Sequence, residues 1–366
     1  MPAGEACGSG ELAAGSSARP AICGQRQAAQ KRQPAGPVFS AFPVISPVIS
    51  KERTFAMILQ TGMRTDIPAF YTPWFLNRLR AGFVLVRSPY APQRVTRYSL
   101  SPDVVDLIGF CTKNPGPMLP HLDALRPYAG QYWFVTLTPY GRDIEPNVPP
   151  KDQVLADIRA LSAAVGPEAV AWRYDPILLG GTYTVERHLA EFARMAAALE
   201  GAVETCVISF LDLYKKVQRN FPEARAVPKP QRLLLGREMA GIAKSHGMTL
   251  KACGEGGELA AYGVDCTGCM TLAAYEHALH ARLTPPPGAV HPSRKECACY
   301  LGGDIGAYDS CGHLCRYCYA NADAAAVRRN MCRHDPASPF LIGGPLPGDE
   351  VRDANQQSWL DGQLSF

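Results

Sequence analysis

The chain has 366 residues, 47% of them hydrophobic, with 13 cysteines and a formal net charge of +4. That length suits one barrel-sized domain with extensions, and so small a charge does not by itself argue for nucleic acid. No apolar run reaches the roughly 18 residues of a membrane span, and an odd cysteine count with metal-type spacing argues for a reducing, cytoplasmic setting.

Residues 1–56 are rich in Ala, Gly, Ser and Pro, carry little apolar periodicity and lack a signal-peptide pattern. They read as a disordered tail, or as a spurious extension from a start site placed too early, since Met57 opens the first strand. A docking arm is the functional alternative.

From Met57 onward, short apolar runs alternate with amphipathic stretches. Strands are expected at 57–61, 104–110, 132–138, 169–174, 205–210 and 248–253. A weaker run at 83–87 is either a strand or an excursion outside the sheet. Helices are expected over 70–80, from Lys151 with a Val154, Ile158, Leu161 and Val165 stripe, after Thr184 as N-cap, and near 231–246 with Gly247 beyond its end. Two more are expected at 271–283 and 321–330. Such alternation implies an α/β fold with a parallel sheet, here a complete or partial (β/α) TIM-like barrel over 57–340, with 341–366 as a C-terminal tail.

Polar residues stand at nearly every strand end: Arg64 and Asp66, Lys113 and Asn114, Arg173 and Asp175, Asp212 and Lys215, and Glu255. In a parallel barrel these ends share one face. Singly, each has a plain structural reading, with Arg173 paired to Asp175 and Asp66 capping a helix. Together they point to a site, because burying several charges without a ligand is costly. Arg64, Asp66, Lys113, Arg173 and Asp175 are the candidate catalytic or substrate-binding residues.

The densest chemistry lies between Cys297 and Asn321, where Cys311, Cys315 and Cys318 have the spacing C-x3-C-x2-C. Three thiolates on one tight loop suit a soft metal or an iron–sulfur cluster, and a four-iron (4Fe-4S) cluster held by three cysteines leaves one iron open to a small molecule. Two alternatives stand beside this: a structural zinc on Cys297, Cys299, Cys315 and Cys318, and buried free cysteines. Separately, Cys266 and Cys269 form either half of a second metal site with Cys297 and Cys299 or a pair of reduced thiols.

The C-x3-C-x2-C spacing resembles the signature of the radical S-adenosylmethionine (SAM) enzymes. Their open iron chelates the amino and carboxylate groups of SAM, whose reductive cleavage gives a 5′-deoxyadenosyl radical. The resemblance implies that Tyr317 lies near the nucleoside, that Asn321 is a second cofactor contact, and that an electron donor is a partner. It departs in position, since the usual signature follows the first barrel strand and this one lies near the C-terminus. The runs RTDIPAFY, TKNP, GRDIEPNVP, WRYDPI, VISF-x-D-x-Y, DIG-x-Y and CRYCYAN, spread over 57–340, resemble a bacterial family of unknown function, domain-of-unknown-function family eighteen forty-eight. The cysteine cluster of that family is described as similar to the radical SAM cluster but placed at the opposite end. Departures from its pattern are Met63 before Arg64 and Cys111 before TKNP. The implied function is a radical-SAM-like iron–sulfur enzyme acting on an unidentified small-molecule or macromolecular substrate. Its rivals are a barrel enzyme with a structural zinc and hydrolytic or acid–base chemistry, and a nucleic-acid repair lyase.

Overall fold

The computed structural model describes residues 58–287 and 299–360. The expected N-terminal tail and Cys297 lie outside the described residues. The chain opens with β1 (Ile58–Gln60), α1 (Ile67–Phe70) and α2 (Thr72–Ala81), then β2 (Phe83–Arg87) and β3 (Arg94–Ser99). The alternating part follows as β4 (Leu107–Thr112), β5 (Gly130–Thr136), α3 (Lys151–Val165), β6 (Val170–Ile177), α4 (Val185–Leu199) and β7 (Thr205–Phe210). It continues with α5 (Lys215–Asn220), α6 (Lys229–Ser245), β8 (Thr249–Ala252) and α7 (Leu272–Leu279). Last come β9 (Gly303–Asp304), α8 (Ala324–Cys332) and β10 (Glu350–Asp353).

Seven strands form one parallel sheet in the order β8-β7-β6-β5-β4-β1-β9. Apart from the skipped β2 and β3, the order follows the chain from β1 to β8, as expected for successive β–α units. The late strand β9 then returns to flank β1. The run at 83–87 is indeed an excursion: β2 pairs antiparallel with β3, and β10 joins β3 in a separate three-stranded sheet. Thus β10, paired with β3 though exposed along its length, and the buried Trp359 give regular structure to part of the stretch read as a C-terminal tail.

Strand side chains alternate between two faces. Ile108, Phe110, Trp133, Val135, Trp172 and Ile208 belong to the larger core, together with Trp74, Phe75, Ile158, Phe192 and Met239 of the helices. Ile58, Leu107, Tyr132, Phe134, Ala171 and Val207 belong to a second cluster with Tyr275, Met270 and Cys299. Between the outer strands β8 and β9, coil segments carry the backbone bonding onward. The Asp265 amide donates to the Leu250 carbonyl (2.8 Å), Ala252 to Asp265 (2.9 Å), and Tyr300 to Met270 (2.9 Å). Gly302 permits the close approach of β9 to β1, since a Cβ there would lie 1.7 Å from the Ile58 carbonyl oxygen.

The helix ends follow local chemistry. Thr184 caps α4, its hydroxyl accepting from the Arg187 amide at 3.2 Å, and Glu186 sits in the first turn. Thr184→Ala is expected to cost about 1 kcal/mol, read as a lower denaturant midpoint at unchanged slope. Two expected helices differ from the structure. The first, α7, stops at Leu279, where His280 turns left-handed at φ 51°, so Leu283 leaves the stripe and bridges Leu360 instead. The second, α8, begins only at Ala324, where Asp323 accepts from the Ala326 amide at 2.7 Å and sets the start.

Candidate functional site at the strand ends

The cysteine loop lies between β9 and α8. Asp309 and Leu314 take left-handed backbone conformations (φ 56° and 57°), which non-glycine residues adopt only under the constraint of their surroundings. The turns bring Cys311, Cys315 and Cys318 into one another's electrostatic field. Burial pushes all three thiols up, and Lys113 pulls Cys315 partly back.

Segments following three parallel strands grip this loop. After β1, the Tyr71 hydroxyl donates to the Ser310 carbonyl at 2.6 Å. After β5, the Asn147 side chain donates to the Gly312 carbonyl at 2.8 Å, and the Arg316 amide to the Ile144 carbonyl at 3.0 Å. After β7, Lys216 Nζ donates to the Ala320 carbonyl at 3.1 Å. The chain thus returns to the carboxyl ends of the strands, where its polar residues stand.

Glu145, in the turn after β5, joins that loop to the sheet. Its side chain is 1% exposed and accepts from Lys113 Nζ (2.8 Å), Thr138 Oγ1 (2.7 Å), Lys151 Nζ and the Tyr317 hydroxyl. Burial alone would raise this carboxyl, but the Lys113 and Lys151 ammoniums outweigh it and hold it down at about 2. For Lys113, burial works against the charge, yet Glu145 and Cys315 raise it above its ordinary value. For Lys151, burial prevails over Glu145 and, with repulsion from Lys113, lowers it. The Lys113 ammonium lies 5.5 Å from the Tyr317 ring centre, within cation–π reach. A pocket of about 240 Å³ opens beside Glu145 and Lys151, bounded by Tyr140, Arg142, Val148 and Pro149. It falls below the roughly 300–1,000 Å³ of a drug-sized ligand site.

Asp66 is the second junction. One carboxylate oxygen accepts from the Ala69 amide (3.0 Å) and Thr112 Oγ1 (2.7 Å). The other accepts from the Lys113 amide (2.7 Å) and faces His313 Nε2 (2.8 Å). The helix cap expected of it is present, and it also ties β1, β4 and the cysteine loop together. Arg64 is spent on β9, bonding the Asp304 carboxylate and donating to its carbonyl at 2.7 Å. Asn321, 4% exposed, donates to the Cys311 carbonyl at 2.9 Å, while its amide oxygen has no partner among the described residues.

Arg173 and Asp175 form the ion pair expected of them, at 2.5 Å. Arg173 also turns toward a second group of thiols, donating to Cys269 Sγ at 3.7 Å. Cys269 Sγ lies 3.5 Å from Cys253 Sγ and 3.8 Å from Cys299 Sγ. The C-x2-C spacing misleads here, because Cys266 points to the Val264 carbonyl at 3.6 Å while Cys269 meets Cys253. Of the zinc set Cys297, Cys299, Cys315 and Cys318, Cys297 lies outside the described residues and Cys299 lies beside Cys269 at 3.8 Å. Among the described residues, no group of three or more His, Cys, Asp or Glu side chains is placed so that it could hold a metal ion. Sequence reasoning passed over Glu145, His313 and Asp304. Each lies inside a motif run, GRDIEPNVP, CGHLC or DIG, but none marks a strand end in the pattern of apolar runs.

The fold and site define a class: an α/β protein with an all-parallel sheet and a cysteine-bearing loop over the carboxyl ends of its strands. Within that class the chain belongs to the family described as domain of unknown function (DUF1848), whose model matches residues 58–320. No curated protein matches the chain. No helix among the described residues is long and apolar enough to cross a membrane.

Proposed function

We propose that the chain is a radical-SAM-like iron–sulfur enzyme, with Cys311, Cys315 and Cys318 holding a four-iron cluster and SAM beside it. The carrying observation is that the three thiols stand at the same sheet end as Asp66, Lys113 and Asn321. The donor set fits such a group: three soft sulfurs from one half-buried loop, with Lys113 and Lys216 near enough to offset thiolate charge. The unpartnered Asn321 oxygen, on the residue bonded to the Cys311 backbone, suits a donor of a bound ligand. When bound, the cluster would supply reducing electrons to a ligand at its open iron.

The protein residues position and shield. Tyr317 contributes a buried ring beside the thiols, fixed by its hydroxyl on Glu145. Glu145 stays ionised and holds the Lys113 ammonium next to that ring. The sheet is read as a (β/α) barrel whose seam the coil at 265–270 and 299–302 closes, supported by the strand order and the bonds of Asp265 and Tyr300. The substrate is unidentified, and an external electron donor is required by the chemistry.

The test is anaerobic purification of the full chain with iron and sulfide analysis. Wild type and Cys332→Ala should carry several irons per chain, and Cys315→Ala should carry essentially none, because two thiolates cannot retain the cluster. A colourless wild type without iron, or equal iron in all three proteins, overturns the proposal.

A further inference from the structure

We infer that Tyr214, Tyr308 and Tyr319, with Lys215, Lys216 and Arg219, form a surface that binds single-stranded nucleic acid across the cysteine loop. Binding itself needs no cluster, and only the reactive centre that a bound strand would meet rests on the reading above.

Two basic pairs, Lys215-Lys216 and Arg328-Arg329, stand far apart in the sequence. The fold brings their helices, α5 and α8, to one place. Lys216 Nζ donates to the Ala320 carbonyl at 3.1 Å, and the Arg219 guanidinium bonds the Ala322 carbonyl. Arg219 and Arg329 both lie within the electrostatic field of Asp323. Lys215, Arg219, Arg328 and Arg329 are exposed. These cations outnumber the neighbouring carboxylates, Asp212, Asp309 and Asp323, the last two of which accept from the Ala322 and Ala326 amides. A local positive surface thus exists on a chain whose net charge is only +4.

Aromatic rings are interleaved with these cations. Tyr214 and Tyr319 are 43% and 47% exposed, and their ring centres lie 6.1 Å apart. The Tyr319 hydroxyl is anchored on the Met63 carbonyl. Lys216 Nζ also lies 4.9 Å from the centre of the Tyr308 ring. Tyr308 is in turn hydrogen-bonded to Tyr90, which is 88% exposed. Rings standing in water offer a π-face to any base, and the ammonium and guanidinium groups between them suit the linking phosphates. A duplex hides its base faces, so this pairing of rings with cations selects an unpaired strand. An acidic peptide would satisfy the cations but leave the rings without planar partners.

The full chain, purified anaerobically, is titrated into fluorescein-labelled oligothymidylate and oligouridylate about 12 nucleotides long, and anisotropy is read at several salt concentrations. Wild type should bind, with affinity falling as salt rises. Preference for one strand identifies DNA or RNA as the source. Tyr214→Leu should weaken binding about tenfold, whereas Tyr214→Phe, which keeps the ring, should bind as wild type does. Lys215→Gln combined with Arg329→Gln should make the slope of log affinity against log salt shallower by about 1.4, at about 0.7 per lost phosphate contact. Lys244→Gln, exposed on α6, should change neither reading. Unaltered melting temperatures show that the variants are folded. Iron is measured on the same samples: binding without iron supports this surface while overturning the cluster, and iron without binding does the reverse. No binding to either strand, equal affinity for a duplex of the same length, or unchanged affinity in Tyr214→Leu overturns the inference.

Discussion

Glu145→Ala is expected to destabilise the protein by about 3–5 kcal/mol, the usual cost of removing one partner from a buried ion pair. The penalty comes from what remains. Lys113, 13% exposed at its side chain, and Lys151, at 20%, would face each other without the carboxylate between them. Thr138 Oγ1 and the Tyr317 hydroxyl would lose their acceptor as well. Lys151→Met should cost less, because Glu145 keeps Lys113 and both hydroxyls. Urea unfolding of the three proteins measures this, and equal midpoints for wild type and Glu145→Ala would sink the role given to Glu145. The pH dependence has a definite sign. The folded carboxyl is held at about 2, below the unfolded value of about 4.3. A depressed acid stabilises the fold fully above its unfolded value, and that share is lost as pH falls from about 4.3 toward 2. Glu145→Gln should therefore show a flatter stability profile across that window than wild type.

The sheet was readable because buried parallel strands write themselves as short apolar runs. LIGF, YWFV and VISF each supply residues to both faces, so no polar alternation interrupts them. Thr184 was readable because a cap is local chemistry. The closing seam was not readable. Asp265 and Tyr300 bond across it as single residues in coil, and isolated bridges leave no periodicity in a sequence. Cysteine partners were readable only in part, since Cys269 does meet Cys299 at 3.8 Å but Cys253 was not foreseen. Sequence spacing tied Cys269 to Cys266, but Asp265 is held on β8 through Lys251 and two backbone bonds, and the chain beyond it turns Cys266 and Cys269 apart. Glu145 was hidden in an irregular turn, and its importance arises from lysines six residues downstream and thirty-two upstream.

Asp66→Asn should be nearly as damaging as Asp66→Ala, with both losing about 3–5 kcal/mol by the same logic of stranded buried partners. A carboxylate accepts at both oxygens, and here each oxygen receives a backbone amide. One takes Ala69 N–H at 3.0 Å and the other Lys113 N–H at 2.7 Å. Asparagine has one accepting oxygen and one donating NH2 group. Whichever way the amide is turned, its NH2 meets a backbone N–H that cannot move without disturbing α1 or the end of β4. Thr112 or His313 must in the same turn change from donating to accepting. The loss should extend to the cysteine loop, because His313 sits between Cys311 and Cys315 and is fixed by that carboxylate. Unfolding free energies read the first effect, and faster hydrogen exchange at the Lys113 amide and across residues 311–318 reads the second. Near-wild-type stability and exchange in Asp66→Asn would show that a single acceptor suffices, and Asp66 would then be only a helix cap.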